Sequence, residues 1–127
     1  MDLKAKSFAV VGASNNSDKY GFRVVEALKK ISGKVFPVNP KETQILGLKV
    51  FKTVNEIMEK VDVVVFVVPP AVTLDVMGNL VKFKPKKQHY WFQPGSFDEK
   101  VIDYCLLNGI TYTDDKCIIV ESEKQLI

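Results

Sequence analysis

Short apolar runs recur along the chain, and segments whose apolar residues follow helical spacing separate them. An apolar run without polar alternation is typical of a strand covered on both faces, as in a parallel sheet. Alternation of such strands with helices predicts an α/β fold. The predicted strands are 8–11, 35–38, 48–51, 61–68 and 89–92, and short extended pieces are expected at 112–113 and 117–120.

Polar and small residues between these runs indicate where the helices begin. The first predicted helix, Gly21–Ile31, carries one apolar stripe. Two capping boxes, in which Thr or Ser precedes Glu by three residues, open a brief helix at Thr53–Glu56 and a longer one at Ser96–Glu99. Between them, a helix follows the prolines at 69–70 and ends at a turn at 84–86.

These elements are expected to form one sheet in one domain. Right-handed crossovers predict a three-layer, doubly wound, Rossmann-like parallel sheet with strand order 3-2-1-4-5 and a possible sixth strand. The chain has 127 residues, a usual size for one domain, so we expect a single domain over 1–127. Its 46% hydrophobic and 26% charged residues are typical of a folded domain rather than a disordered chain.

The sequence favours a cytoplasmic protein with reduced thiols. No apolar run approaches the roughly 20 residues of a membrane-spanning helix, and we expect no membrane partner. The first residues lack the apolar region of a signal peptide. Cys105 and Cys117 are too few for a secreted disulfide framework, and with one histidine they do not have the spacing of a zinc site.

The charge balance suits a small anionic ligand. Eighteen basic and fifteen acidic residues give a net charge of +3. Arg23 is the one arginine, and because base readout relies on arginine, a specific nucleic-acid partner is disfavoured. The densest basic cluster is predicted to be a solvated turn, and it comprises Lys82, Lys84, Lys86 and Lys87.

The loop after the first strand is the predicted phosphate-binding loop. In doubly wound sheets, ligands bind beyond the carboxyl ends of the strands, where the strand order reverses. Here that loop leads into a helix, whose free N–H groups and dipole attract phosphate. Gly12 permits a tight turn, Ser14 offers a hydroxyl and Lys19 a positive charge, and Gly21 allows close backbone approach.

The end of the second strand disfavours NAD. The dinucleotide fingerprint needs glycine where Ser14 and Ser17 stand. An NAD-binding protein usually has an acidic residue after the second strand, whereas this chain has Asn39-Pro40-Lys41. A lysine there would pair with a phosphate on the ribose, as in coenzyme A (CoA) or NADP.

Six motifs at predicted strand ends occur together in one order. They are Val10-Val11-Gly12-Ala13-Ser14, Lys19-Tyr20-Gly21, Val38-Asn39-Pro40-Lys41, Val67-Val68-Pro69-Pro70, Trp91-Phe92-Gln93-Pro94-Gly95-Ser96 and Asp115-Lys116-Cys117-Ile118. In these motifs the chain resembles the small stand-alone CoA-binding proteins, which are similar to the CoA-binding amino-terminal domain of the succinyl-CoA synthetase alpha subunit. The resemblance covers about 7–121.

The resemblance implies a noncatalytic module that binds CoA or acyl-CoA. Gly12, Ala13 and Ser14 would meet the phosphates, and Lys41 would neutralise a phosphate near the adenosine. Val68 and Pro69 would wall the path of adenine or pantetheine, with Tyr20 over the ligand. Relatives usually carry a histidine at the position of Ser122. The expected binding residues are Gly12, Ala13, Ser14, Lys19, Tyr20, Gly21, Asn39, Pro40, Lys41, Val68, Pro69 and Pro70.

Two alternatives stay open. An NADP-dependent oxidoreductase would need an acid, a base and a substrate pocket, for which the sequence offers no clear candidates. A regulatory or interaction subunit would keep the fold without the ligand, and the sequence indicates no protein partner. Gln93 could bind a carbonyl or phosphate, and plain capping of the following helix by Ser96 is the alternative. A thiol at Cys117 could face the pantetheine thiol, although the adjacent acids Asp114 and Asp115 count against high reactivity. His89 opens its strand and is expected at the edge away from the ligand.

Overall fold

The structure, a computed structural model, describes residues 1–83 and 88–126. In this part of the chain, two short 3-10 helices, Leu3–Ala5 and Val54–Glu56, accompany the strands and α-helices. The strands are β1 (Phe8–Val11), β2 (Val35–Val38), β3 (Gln44–Ile45), β4 (Leu48–Lys49), β5 (Val63–Phe66), β6 (His89–Phe92) and β7 (Tyr112–Thr113). The α-helices are α1 (Tyr20–Lys29), α2 (Pro70–Phe83), α3 (Glu99–Leu107) and α4 (Ile118–Gln125).

The central sheet is parallel and confirms the predicted Rossmann-like α/β fold. Among the described residues, five strands pair in the order β2-β1-β5-β6-β7. Phe8 of β1 lies between Val35 of β2 and Val63 of β5. Every residue of these three strands is buried, as uninterrupted apolar runs require. β7 occupies the place of the possible sixth strand.

The predicted third strand, 48–51, is wrong in its extent. The chain forms a short antiparallel hairpin instead, in which Ile45 of β3 pairs with Leu48 of β4. Leu46 and Gly47 both have positive φ and turn the chain back on itself. The expected place beside β2 is held by a single parallel bridge between Val38 and Phe51.

The extended piece predicted at 117–120 is also wrong, because these residues begin α4. Cys117 is the N-cap residue, and the buried side-chain oxygen of Gln93 accepts a hydrogen bond from the Ile118 N–H at 2.8 Å. Ile118 and Ser122, four residues apart, form the buried face of this helix. The β-branched run at 118–120 favours a strand locally, and this tertiary cap together with the buried face outweighs that preference.

The two predicted capping boxes do not form, although a helix starts near each. Asp98, rather than Ser96, caps α3, and its carboxylate accepts a hydrogen bond from the Val101 N–H at 3.0 Å. The Ser96 hydroxyl donates to the Gln93 carbonyl instead. Thr53 precedes the 3-10 helix without a side-chain capping bond. The turn predicted at 84–86, and with it Lys84, Lys86 and Lys87, lies outside the described residues.

Two apolar clusters, one on each face of the sheet, complete the three layers. β1 supplies both, because successive side chains of a strand point to opposite faces. One cluster joins the sheet to α1 and α4, and the other joins it to α2 and α3. The first includes Phe8, Val10, Leu28 and Ile118, and the second includes Ala9, Val11, Met77 and Val101. Within 1–83 and 88–126, no helix is both long enough and apolar enough to span a bilayer.

Candidate functional site

A cavity of about 650 Å³ opens beyond the carboxyl ends of β1 and β2. It lies beside the switch point between β1 and β5, where doubly wound sheets bind their ligands. One wall is apolar and the rim is polar. The described lining residues are Val11, Gly12, Val38, Asn39, Pro40, Lys52, Thr53, Val54, Asn55, Val68, Val72, Asp75, Val76, Asn79 and Leu80.

Gly12 is the point at which the loops after β1 and β5 approach each other. Its N–H donates to the Val38 carbonyl, so the sheet continues to this residue. Its φ is +98°, and a Cβ atom would lie 2.7 Å from Val68 Cγ1 and 3.2 Å from the Val67 carbonyl carbon. Any side chain here would be strained and would close the gap between the two loops.

Gly21 has a structural role rather than a place in the cavity wall. A Cβ atom at Gly21 would collide with the Gly12 carbonyl oxygen. The first turn of α1 therefore packs directly on the backbone of the first loop. Lys19 is the N-cap of this helix and makes no side-chain capping bond.

Asn39 ties the loop after β2 to the loop after β1. Its amide nitrogen donates to the Ala13 carbonyl at 2.8 Å. Its amide oxygen accepts from the N–H groups of Lys41, at 2.7 Å, and Glu42, at 3.2 Å. The amide oxygen accepts two hydrogen bonds and the amide nitrogen donates one, so within the described residues the Asn39 side chain keeps one N–H for a ligand.

The first loop also holds a carboxylate that sequence reasoning missed. The Asn15 N–H donates to Glu42 Oε2 at 3.1 Å, and the Asn15 amide nitrogen donates to the Gln44 carbonyl. The Ser14 hydroxyl accepts from the Asn16 N–H at 3.0 Å. An anion near Asn15 would have Glu42 as a neighbour of like charge, so the end of the loop beside Gly12 is better placed for a phosphate.

The structure brings only some of the predicted binding residues together. Gly12, Asn39, Pro40 and Val68 line the cavity. Ala13 is buried behind it, and Pro70 begins α2 next to Pro69. Tyr20, 59% exposed, lies instead on a second cavity of about 510 Å³ between α1 and α4. Outside the described lining of the first cavity lie Ala13, Ser14, Lys19, Tyr20, Gly21, Lys41, Pro69 and Pro70.

Five polar residues of the rim were not predicted from the sequence. Lys52, Thr53 and Asn55 precede or form the 3-10 helix, and Asp75 and Asn79 lie one turn apart on α2. The one available signal is the four-residue spacing of Asp75 and Asn79 along the flank of the apolar stripe of α2. Lys52 and Lys41 are both exposed, and neither ammonium group has an ion-pair or hydrogen-bond partner among the described residues.

The Gln93 side chain forms hydrogen bonds with Cys117 and with the first residue of α4. Gln93 is 2% exposed, and its amide nitrogen donates to Cys117 Sγ at 3.4 Å while its oxygen caps Ile118. Cys117 lines the second cavity together with Tyr20. Burial raises the pKa of the other thiol, Cys105, to about 11, and the charge of Asp114 adds to this.

His89 lies at the start of β6, at the opposite end of the sheet from the cavity. Its ring nitrogens lie 3.1 Å from Thr111 Oγ1 and 2.8 Å from Thr113 Oγ1. Burial lowers the pKa of His89, and nearby positive charges add to this. These contacts give the histidine a structural role.

Comparisons with known proteins find a matching family, curated relatives and similar structures. A family model described as a CoA binding domain matches residues 6–123. An ADP-forming acetate–CoA ligase of Methanocaldococcus jannaschii is 39% identical over 77 residues, which are 61% of this chain and 11% of the ligase. An uncharacterized protein of Bacillus subtilis is 29% identical over 119 residues, which are 92% of this chain and 85% of that protein. A conserved hypothetical protein from Pyrococcus furiosus has a similar structure, with a TM-score of 0.83 and 40% identity over 91% of this chain and 98% of that chain.

Proposed function

Because this chain belongs to the CoA binding domain family, we propose that it binds coenzyme A or an acyl-CoA as a noncatalytic module. The observation that carries the proposal is the cavity of about 650 Å³ beside Gly12, at the switch point of the sheet. Its volume lies within the usual range of small-molecule sites, about 300–1,000 Å³.

The two kinds of surface around Gly12 fit the two parts of an adenine nucleotide. Val38, Val68 and Val72 offer an apolar wall on which a flat base can pack. Gly12 lies where this wall meets the first loop and the start of α1, whose N–H groups favour phosphate. In the proposed arrangement the adenosine enters the cavity, the diphosphate lies beside Gly12, and the pantetheine extends into solvent.

Two lysines that have no partner among the described residues support an anionic ligand. Lys52 lies on the cavity rim, and Lys41 lies just outside the described lining. A phosphate on the ribose would give either ammonium group a partner, and charge-assisted bonds of this kind are about twice as strong as neutral ones. The resemblance favours Lys41 for this role, whereas the geometry of the cavity favours Lys52.

The test pairs the cavity variant Val72→Glu with the control Leu106→Glu. Val72 is 44% exposed on the cavity wall, and Leu106 is 67% exposed on α3, so both variants should fold. A carboxylate on the wall should lower CoA affinity at least about 10-fold in calorimetry, because it repels phosphate and wets the apolar surface. Leu106→Glu should bind as the unaltered protein does.

Two measurements separate the alternatives. One is native mass spectrometry of the protein purified from cells, and the other is calorimetry with NADP as a second ligand. A retained mass equal to CoA or acyl-CoA supports the proposal. Tighter binding of NADP than of CoA would favour the oxidoreductase. Binding of neither ligand would favour an interaction subunit, and equal CoA affinity of the two glutamate variants would place the ligand elsewhere.

A further inference from the structure

The groove between α1 and α4, which is the second cavity, presents apolar side chains to solvent. Tyr20 is 59% exposed on α1 and Val120 is 46% exposed on α4, and both line this groove. Phe22 and Ile119 line it as well and are half-buried. An apolar patch with a polar rim is a common feature of surfaces that another molecule covers.

Four charged side chains line the same groove, two of each sign. They are Arg23, Glu26 and Lys30 of α1 and Glu123 of α4. All four are exposed, and none forms an ion pair within residues 1–83 and 88–126. Arg23 is the one arginine of the chain, and arginine and tyrosine are enriched among the residues that contribute most to protein–protein binding. The groove therefore has the composition of a protein interface.

The balance of charge favours a second copy of this chain as the partner. A strongly acidic or strongly basic partner would attract two of the four charges and repel the other two. A two-fold axis brings the same surface of two copies together, so each contact occurs twice. Laying α1 of one copy on α4 of the other would bring Arg23 to Glu123 of the second copy, and an acid and a base would meet at both ends.

We infer that two copies of this chain associate through the α1–α4 groove, with Arg23 of each copy paired with Glu123 of the other. Tyr20 and Val120 of both copies form the apolar centre of the interface, and the two ion pairs flank it. The inference goes beyond the proposed function and does not depend on it, because the groove and the cavity beside Gly12 have no described lining residue in common.

Sedimentation equilibrium over a range of protein concentrations measures the association. The unaltered protein should form a dimer. Arg23→Glu places like charges opposite each other, and Val120→Glu puts a carboxylate in the apolar centre, so each should raise the dimer dissociation constant at least about 10-fold. A double variant that combines Arg23→Glu with Glu123→Arg restores opposite charges. Its dissociation constant should return to within about threefold of the unaltered value.

Lys100→Glu is the matched control for Arg23→Glu. It makes the same change of charge at an exposed basic residue of α3, on the opposite face of the sheet. This variant should dimerise as the unaltered protein does, and circular dichroism checks that every variant folds.

Three results would overturn the inference. The first is an unaltered protein that stays monomeric up to about 1 mM, which would leave the groove to a different molecule. The second is a dimer that either Arg23→Glu or Val120→Glu leaves unchanged, and the third is a double variant that does not recover the dimer. A dimer that binds no CoA would contradict the proposed function alone.

Discussion

At the scale of single residues, the candidate site depends on backbone geometry as much as on side chains. The sequence predicts Gly12 because a strand that leads into a helix needs a tight turn there, and its φ of +98° agrees with that need. It does not predict Asn55, which lines the cavity only because the fold packs its 3-10 helix against α2. Nor does it show that the Asn39 amide nitrogen donates to the Ala13 carbonyl, because that bond joins two separate loops.

The roles of Lys41 and Lys52 can be separated with two ligands. The lysine that pairs with the ribose phosphate should, when changed to alanine, lose about 1.5–3 kcal/mol of CoA binding, or about 10- to 150-fold in affinity. The affinity of that alanine variant for CoA lacking the ribose phosphate should equal the affinity of the unaltered protein for the same ligand. We expect the larger effect at Lys52, because it lines the cavity. Calorimetry on Lys41→Ala and Lys52→Ala with both ligands measures this, and equal binding of the two ligands by the unaltered protein would exclude both lysines.

Asp62 should make stability depend on acid pH. The Ser7 N–H donates to Asp62 Oδ2 at 2.9 Å and holds the pKa of this carboxyl below its ordinary value, against the opposing effect of burial. The ionised carboxylate therefore stabilises the fold fully above the unfolded pKa, and this contribution is lost as pH falls through the lower folded pKa. Urea unfolding should show Asp62→Asn less stable than the unaltered protein at pH 7, with a smaller difference at about pH 3. A difference that does not change with pH would assign the effect to packing.

At the scale of elements, the sequence predicts the buried strands well and the edges poorly. The buried strands are mainly apolar runs, namely β1, β2, β5 and β6. A short apolar run of this kind is typical of a strand buried on both faces of a sheet, so the sequence identifies it directly. The hairpin β3–β4 differs from the predicted edge strand, because the positive φ of Leu46 and Gly47 turns a chain that local pattern would extend. α4 depends on a cap from Gln93, which is distant in sequence, so no local signal at 117–120 could have shown it.

The cap of α3 gives a direct test at this scale. Asp98→Ala removes the carboxylate that accepts from the Val101 N–H and should cost about 1 kcal/mol of unfolding free energy, as typical N-cap losses do. Thr53→Ala, at a helix start where the side chain makes no capping bond, should change stability by less than about 0.5 kcal/mol. Urea denaturation measures both. If Thr53→Ala lowers the unfolding free energy as much as Asp98→Ala does, loss of the capping hydrogen bond does not explain the effect of Asp98→Ala.

At the scale of the whole molecule, the chain matches only a small part of the ligases to which it is similar. The Methanocaldococcus jannaschii ligase shares 11% of its length with this chain. The candidate cavity combines an apolar wall with Lys52, whose ammonium group has no partner among the described residues, and both are features of a binding site. Among the described residues, His89, Gln93 and Cys117 all lie outside the lining of that cavity.

We therefore expect binding without turnover. Hydrolysis of acetyl-CoA should be no faster than in the buffer control, and NADPH should not be oxidised. Among the described lining residues the ionisable groups are Asp75 and Lys52, and neither is paired with a partner that would make it a general acid or base. Chromatography of the CoA products and absorbance at the nicotinamide band measure the two reactions. Protein-dependent release of CoA would contradict this expectation, and Lys19 and Cys117 would be the first residues to change.

The bond from Asn39 to the Ala13 carbonyl has a kinetic consequence. Two loops that would otherwise move independently are joined before any ligand arrives, so entry of a ligand need not wait for them to order. Association should then be a single step whose observed rate rises linearly with ligand concentration, without the plateau that a slow loop rearrangement produces. Differences in affinity among ligands should accordingly appear in how long each one stays bound rather than in how fast it enters.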